Sequence, residues 1–280
     1  MTDSNRLAET GNLRRVLVAT DGSDESAGAV RTGIALAASH GAALTGVSIA
    51  LDHPEYSTFV PNLREIAEQH ARETLKTFIE EAGENAEALV REAQDPARGI
   101  VDAATDVGAD IIVMGQHHKG AIVRRLVGDT TAGVIGLTTS PILVVPRAAR
   151  LWERKVLLAT DGSVYSEAAA EAAGRIAHQA RLPIEVVSVV TSSHSEARRA
   201  EAERAVAGAA ERLAALGLRV DGQVVEGRPD EAIIKAAEAT GADLIVVGSH
   251  GRTGLTKLFM GSVAERVVGD AACPVLVVKS

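Results

Sequence analysis

A ten-residue segment near the start of the chain, Arg14-Arg15-Val16-Leu17-Val18-Ala19-Thr20-Asp21-Gly22-Ser23, returns 140 residues later as Arg154-Lys155-Val156-Leu157-Leu158-Ala159-Thr160-Asp161-Gly162-Ser163. A second segment, Gly108-Ala109-Asp110-Ile111-Ile112-Val113-Met114-Gly115, returns 133 residues later as Gly241-Ala242-Asp243-Leu244-Ile245-Val246-Val247-Gly248. Ser140-Pro141-Ile142-Leu143-Val144-Val145 returns at the same offset as Cys273-Pro274-Val275-Leu276-Val277-Val278. A period this long marks a duplicated domain, not a solenoid. The fall in offset gives the first copy seven more residues in its middle. The expected organisation is a disordered polar start over residues 1–12, one domain over 13–147 and a second over 153–280. The linker between them is short.

Each copy alternates apolar runs of strand type with Ala-rich helical stretches. In the second copy, strands are expected at residues 156–159, 184–190, 218–225, 243–247 and 275–278. Helices are expected from about Ser166 to Arg181, from Ser195 to Leu216, after Pro229, and from Val263. The first copy predicts strands at 16–19, 44–50, 88–91, 111–114 and 142–145. Alternating β and α implies an α/β, Rossmann-like fold: two tandem, doubly wound, five-stranded parallel sheets with right-handed crossovers. Composition agrees. Apolar residues make up 46% of the chain and aromatics 2%, so the cores must be Val, Leu, Ile and Ala, as in parallel strands buried on both faces. Ligands of such sheets sit beyond the strand C-termini at the switch in strand order. Asp161 and Gly248 end the first and fourth strands of the second copy and face that crevice.

The stretch after that fourth strand reads Gly248-Ser249-His250-Gly251-Arg252-Thr253-Gly254, then six residues, then Gly261-Ser262 and a helical pattern. Glycines permit close approach of a ligand to backbone amides. A helix start offers unpaired N–H groups and a partial positive charge. Ser262 adds a hydroxyl there. Together these make an anion site, best suited to phosphate. The blander reading is that the glycines only turn the chain. The pattern G-x2-G-x9-G-S lacks the lysine of a Walker A loop, and His250 breaks G-x-G-x-x-G.

This pattern resembles the nucleotide-binding signature of the universal stress protein family, and the resemblance covers both copies. It implies an adenine nucleotide alpha hydrolase-like fold, binding of ATP with or without Mg²⁺, and pairing of domains through the fifth strand. It also implies a regulatory role with little turnover. Asp161 matches the family's Asp after strand one, and Val189 its apolar residue against adenine. Gly248, Gly251, Gly261 and Ser262 match its phosphate loop. The candidate nucleotide-binding set is then Ala159, Asp161, Val189, Gly248, Gly251, Arg252, Gly261, Ser262 and Val263.

The first copy keeps Asp21, Ile49, Gly115 and Gly128, but His118 stands where Gly251 is and Asp129 where Ser262 is. A carboxylate about 4 Å from a phosphate charge, at an effective dielectric of about 20, is repelled by about 4 kcal/mol. That is roughly a thousandfold in affinity. The first site is expected to be degenerate.

The net charge of −8 argues against nucleic acid as a partner. One cysteine, Cys273, excludes an internal disulfide. It reads as an inert buried thiol. No apolar run approaches the ~20 residues that span a membrane. The start has no secretory pattern, so a cytoplasmic location is expected. His117-His118 has no third ligand nearby in sequence, so no metal site is assigned. Lys119, Arg124, Arg125, Arg252 and Lys257 are either phosphate contacts or solvated loop charges. Trp152 is expected to anchor interdomain packing. No spacing commits to nucleophilic catalysis, so no catalytic residue is assigned. Three readings stay open: an ATP-binding regulator with an unknown protein partner, a non-nucleotide interaction module, and a slow ATPase or self-phosphorylating enzyme. A homodimer is a further possibility.

Overall fold

The structure, a computed structural model, describes residues 13–52, 62–117, 127–251 and 260–279. The first repeat runs β1 (Arg15–Ala19), α1 (Ala27–His40), β2 (Ala43–Leu51), α2 (Leu63–Ala82), β3 (Glu87–Ala93), α3 (Pro96–Val107), β4 (Ile111–Gly115), α4 (Asp129–Leu137) and β5 (Ile142–Val145). The second runs β6 (Val156–Ala159), α5 (Val164–Ala180), β7 (Ile184–Val190), α6 (Glu196–Ala215), β8 (Val220–Glu226), α7 (Pro229–Thr240), β9 (Leu244–Gly248), α8 (Ser262–Asp270) and β10 (Val275–Val278).

The two five-stranded parallel halves form one continuous sheet, ordered β3-β2-β1-β4-β5-β10-β9-β6-β7-β8. The halves meet where β10 pairs antiparallel with β5, Leu276 opposite Leu143. Both strands are fully apolar and buried. Left as edges they would be association hazards; paired, each satisfies the other's ladder groups. Successive side chains alternate between faces. Val16 and Val18 therefore join one core, under α1, α2, α5 and α6, while Leu17 and Ala19 join the other, under α3, α4, α7 and α8. Each core runs through both repeats. Trp152, 6% exposed, sits in the first of these cores, in keeping with a packing role.

Two side chains cross between the repeats, from different strand ends to equivalent helix ends. Gln116, just past β4, donates from Nε2 to the carbonyls of Val268 (2.6 Å) and Ala271 (3.1 Å) at the end of α8. Lys279, just past β10, donates from Nζ to Ile135 (2.9 Å) and Gly136 (3.0 Å) at the end of α4. The last carbonyls of a helix have no partner within it, so each repeat caps the final helix of the other. Burial depresses the Lys279 ammonium below its ordinary pKa. Gln116→Ala removes a buried donor from two carbonyls. We expect a loss of about 1–3 kcal/mol in stability by denaturant unfolding. An unchanged midpoint would count against a structural role for this crossing contact.

Element boundaries differ from the sequence expectation at a few ends. The α5 helix starts at Val164, not Ser166, because Ser163 Oγ accepts from the Ser166 N–H and caps the turn. The β3 strand extends to Glu87 and Ala93 by pairing along β2. The β8 strand starts at Val220 in register with Ile184, not at Leu218. The seven additional residues fall between β2 and α2, a segment mostly outside the described residues, as is the polar start.

Candidate functional site

The repeated Thr-Asp-Gly-Ser motif builds the same turn at both strand ends. Gly162 N–H donates to Thr160 Oγ1 (3.2 Å), and Ser163 N–H to Asp161 Oδ1 (3.0 Å). Gly22 and Ser23 repeat these bonds to Thr20 and Asp21 at 3.2 and 3.0 Å. Gly162 and Gly22 have φ of 75° and 77°, a conformation that side chains disfavour. The motif thus aims the aspartate beyond the strand end. The hydroxyls of Thr160 and Ser166 bond beneath it at 3.1 Å.

At the end of β9 a Cβ on Gly248 would meet the Tyr165 backbone at 2.9 Å, so glycine there lets the strand end pack on the start of α5. A Cβ on Gly251 would stand 2.9 Å from Asp161 Oδ2. A side chain there would push the Asp161 carboxylate aside. Gly261 N–H bonds back to the Ser249 carbonyl (2.8 Å) and fixes the far end of the loop. The first bond of α8 runs from Glu265 N–H to the Gly261 carbonyl (2.9 Å). The amides of Ser262, Val263 and Ala264 lie ahead of that ladder, where a helix presents its partial positive charge.

These elements enclose a cavity of about 470 Å³ beyond the ends of β6, β7 and β9. Ala159, Asp161, Val189, Gly248, Gly251, Gly261, Ser262 and Val263 all line it. Arg252, the remaining nominated residue, lies outside the described residues, as do Lys257 and, in the first repeat, His118, Lys119, Arg124 and Arg125. Val187, Ile233 and Val247 complete an apolar wall.

Two lining residues, His194 and Arg198, were not nominated from sequence. Ser195 caps α6 by accepting from the Arg198 N–H, which sets Arg198 in the first turn. A cation at a helix start opposes the helix dipole, and that misfit is the signal that marks it. Its guanidinium also meets Glu201 at 3.2 Å. His250 lines the cavity from the loop; its ring lies 5.2 Å from Tyr165, and Nδ1 is 3.0 Å from Ser249 Oγ.

The first repeat has the equivalent cavity, about 300 Å³, lined by Asp21, Ile49, Gly115, Gly128 and Asp129 among others. Here Gly128 N–H bonds to the His117 carbonyl at 3.0 Å, one residue along from the Ser249 equivalent. His117 lines this cavity, and its Nε2 lies 3.4 Å from Asp21 Oδ2. The pair holds the Asp21 carboxyl well below the usual carboxylate range and raises His117. His117 is thus paired with Asp21. Among the described residues no group of three or more His, Cys, Asp and Glu is placed to hold a metal ion. Cys273 is half-buried, and burial pushes its thiol up to about 11, far from a reactive thiolate. No helix among the described residues is long and apolar enough to cross a membrane.

The sequence model of the universal stress protein family matches residues 12–146 and again 153–279. The chain belongs to the universal stress protein family. It is a tandem, two-domain member. A universal stress protein of Mycolicibacterium smegmatis is 30% identical over 233 residues, covering 78% of this chain and 77% of that protein. One from Methanocaldococcus jannaschii is 36% identical over 139 residues, 45% of this chain and 82% of that protein. The crystal structure of a universal stress protein from Archaeoglobus fulgidus covers 95% of this chain and 98% of its own, with a TM-score of 0.72 and 22% identity. That likeness extends the shared fold over both domains.

Proposed function

We propose that this universal stress protein binds ATP, with or without Mg²⁺, in the cavity of its second domain, and acts as a regulator read through nucleotide-dependent conformation or partner binding. One observation carries the reading: an apolar wall, a carboxylate and a helix start converge on a single cavity. Its volume of about 470 Å³ falls within the ~300–1,000 Å³ of small-molecule sites. Val187, Val189 and Ile233 would hold the base. Asp161 would accept from ribose hydroxyls. The amides at the start of α8 and the Ser262 hydroxyl would donate to phosphate oxygens. Arg198 adds a cation to the same cavity.

The direct test is mass spectrometry of nucleotide released from purified, denatured protein, followed by calorimetric titration with ATP. Finding no adenine nucleotide and no heat of binding would favour the interaction-module reading. A second test addresses Gly251. Gly251→Val places a side chain against Asp161, which must swing away. We expect ATP affinity to fall roughly tenfold or more. Unchanged affinity would mean that Asp161 does not contact the nucleotide.

A further inference from the structure

We propose that Gln116, in the first domain, is a positioning residue for the nucleotide site of the second: by holding the far end of α8 it sets where the amides at the start of that helix meet the phosphates. The inference rests on the nucleotide reading of the second domain and adds to it a residue from outside that domain.

The connection is short. Gln116 is buried, and its own N–H extends the β4 ladder by donating to the Val145 carbonyl at 2.9 Å. Its backbone is thus fixed close to the seam between the repeats. Its side chain donates to the Val268 and Ala271 carbonyls, at 2.6 and 3.1 Å. Both residues are buried at the end of α8. That helix has nine residues, so it is about 13 Å long at ~1.5 Å per residue. A helix this short moves as a rod. Its other end carries Ser262, Val263 and Ala264, which line the cavity.

Each part of α8 has its own hold. The Gly261 N–H, bonded to the Ser249 carbonyl at 2.8 Å, fixes the chain just before the helix. In the middle, the Arg266 guanidinium lies 3.9 Å from the buried Asp230 of α7. Gln116 holds the end. Without its amide two buried carbonyls lose a donor, and a buried acceptor left unsatisfied is costly. The helix end relieves that cost by shifting toward water, and the start of the helix turns with it. Hydrogen bonds weaken steeply off their axis, and bonds to phosphate are the strong, charge-assisted kind. The phosphates therefore lose most. A base against Val187 and Val189 and a ribose on Asp161 are held by other elements and lose little.

The arrangement is not repeated in the other direction. The counterpart of Gln116 is Ser249, whose Oγ lies 3.0 Å from His250 Nδ1. The end of α4 is held instead by Lys279. Gln116 also stands between Gly115 and His117, both of which line the first cavity. A change in that wall reaches α8 through one side chain.

The test is equilibrium dialysis of labelled ATP and labelled adenosine against folded, full-length variants. Gln116→Met keeps the volume of the side chain and removes the donor. It should weaken ATP about tenfold and adenosine by less than about twofold. Gln116→Lys supplies a donor of the kind Lys279 provides at the other crossing, and should recover most of the loss. Lys279→Met breaks that other crossing and should leave ATP affinity within about twofold of wild type. Unchanged ATP affinity in Gln116→Met overturns the proposal. So does an equal fall for ATP and adenosine, or an equal fall in Gln116→Met and Lys279→Met, since either would show general loosening of the fold. The last comparison decides even where adenosine is bound too weakly to count, and Gln116→Ala replaces Gln116→Met if that variant does not fold. The two readings fail separately. A wild-type chain that binds no ATP removes the second-domain site and this inference with it, whereas a wild-type chain and Gln116→Met that bind ATP equally well remove the inference alone.

Discussion

Ser262→Asp is expected to abolish ATP binding while leaving the melting temperature of the ligand-free protein nearly unchanged. Ser262 begins α8 and lines the second-domain cavity. Its hydroxyl bond to a charged phosphate is worth about 1.5–3 kcal/mol. The aspartate removes that donor and adds a repulsion of about 4 kcal/mol at ~4 Å. Together these exceed a thousandfold loss. The fold has no reason to object. An acidic residue in the first turn of a helix interacts favourably with the helix dipole, by about 0.3–1 kcal/mol. The first domain already carries Asp129 at the start of α4. Ser262→Ala separates the two contributions: it loses only the hydrogen bond, and affinity should fall roughly tenfold or more. Calorimetric titration reads both variants. Normal affinity for Ser262→Asp would show that the phosphates lie elsewhere.

The architecture was legible because three kinds of signal agreed. The repeat set the number of domains, strand and helix periods alternated, and the apolar fifth strands demanded partners. The pairing of Leu143 opposite Leu276 satisfies that demand. Strand edges were less legible. Nothing in the composition of Glu87 or Ala93 marks them as strand; the register of β2 recruits them.

The candidate site divides in the same way. Residues that form a local motif, such as Asp161 or Gly261-Ser262, could be read because their spacing reflects one turn or one helix start. Arg198 carries one local mark, a cation in the first turn of a helix, but only the packing of α6 beside β7 brings it to the cavity. The His117–Asp21 pair joins residues 96 apart in sequence, and no local pattern announces it. Gly251 was assigned to ligand approach. It also leaves room for the Asp161 carboxylate, whose Oδ2 lies 2.9 Å from where a Cβ would stand. The two explanations are compatible, since a carboxylate held that close to the loop is also placed to meet what the loop binds.

The duplication gives the nucleotide reading its sharpest consequence, a stoichiometry. Two working sites would bind two ATP per chain and two structural remnants would bind none. The domains share their base walls and their Thr-Asp-Gly-Ser turns, so the difference must come from the phosphate end. There the first domain presents Asp129 and the second Ser262. A repulsion of about 4 kcal/mol is half the ~8 kcal/mol that defines a micromolar site, which leaves the first site near millimolar for ATP. We therefore expect one tight ATP per chain, counted by equilibrium dialysis with labelled ATP. Restoring the loop with His118→Gly plus Asp129→Ser should raise the count toward two. His117 sets the limit of that restoration. Its imidazole stays 3.4 Å from Asp21 and competes with ribose hydroxyls for the carboxylate, so the restored site should remain the weaker one. A wild-type count near two would mean that Asp129 does not face the phosphates. A count of zero would mean that the loop of the second domain, despite its glycines and its helix start, has no anion to hold.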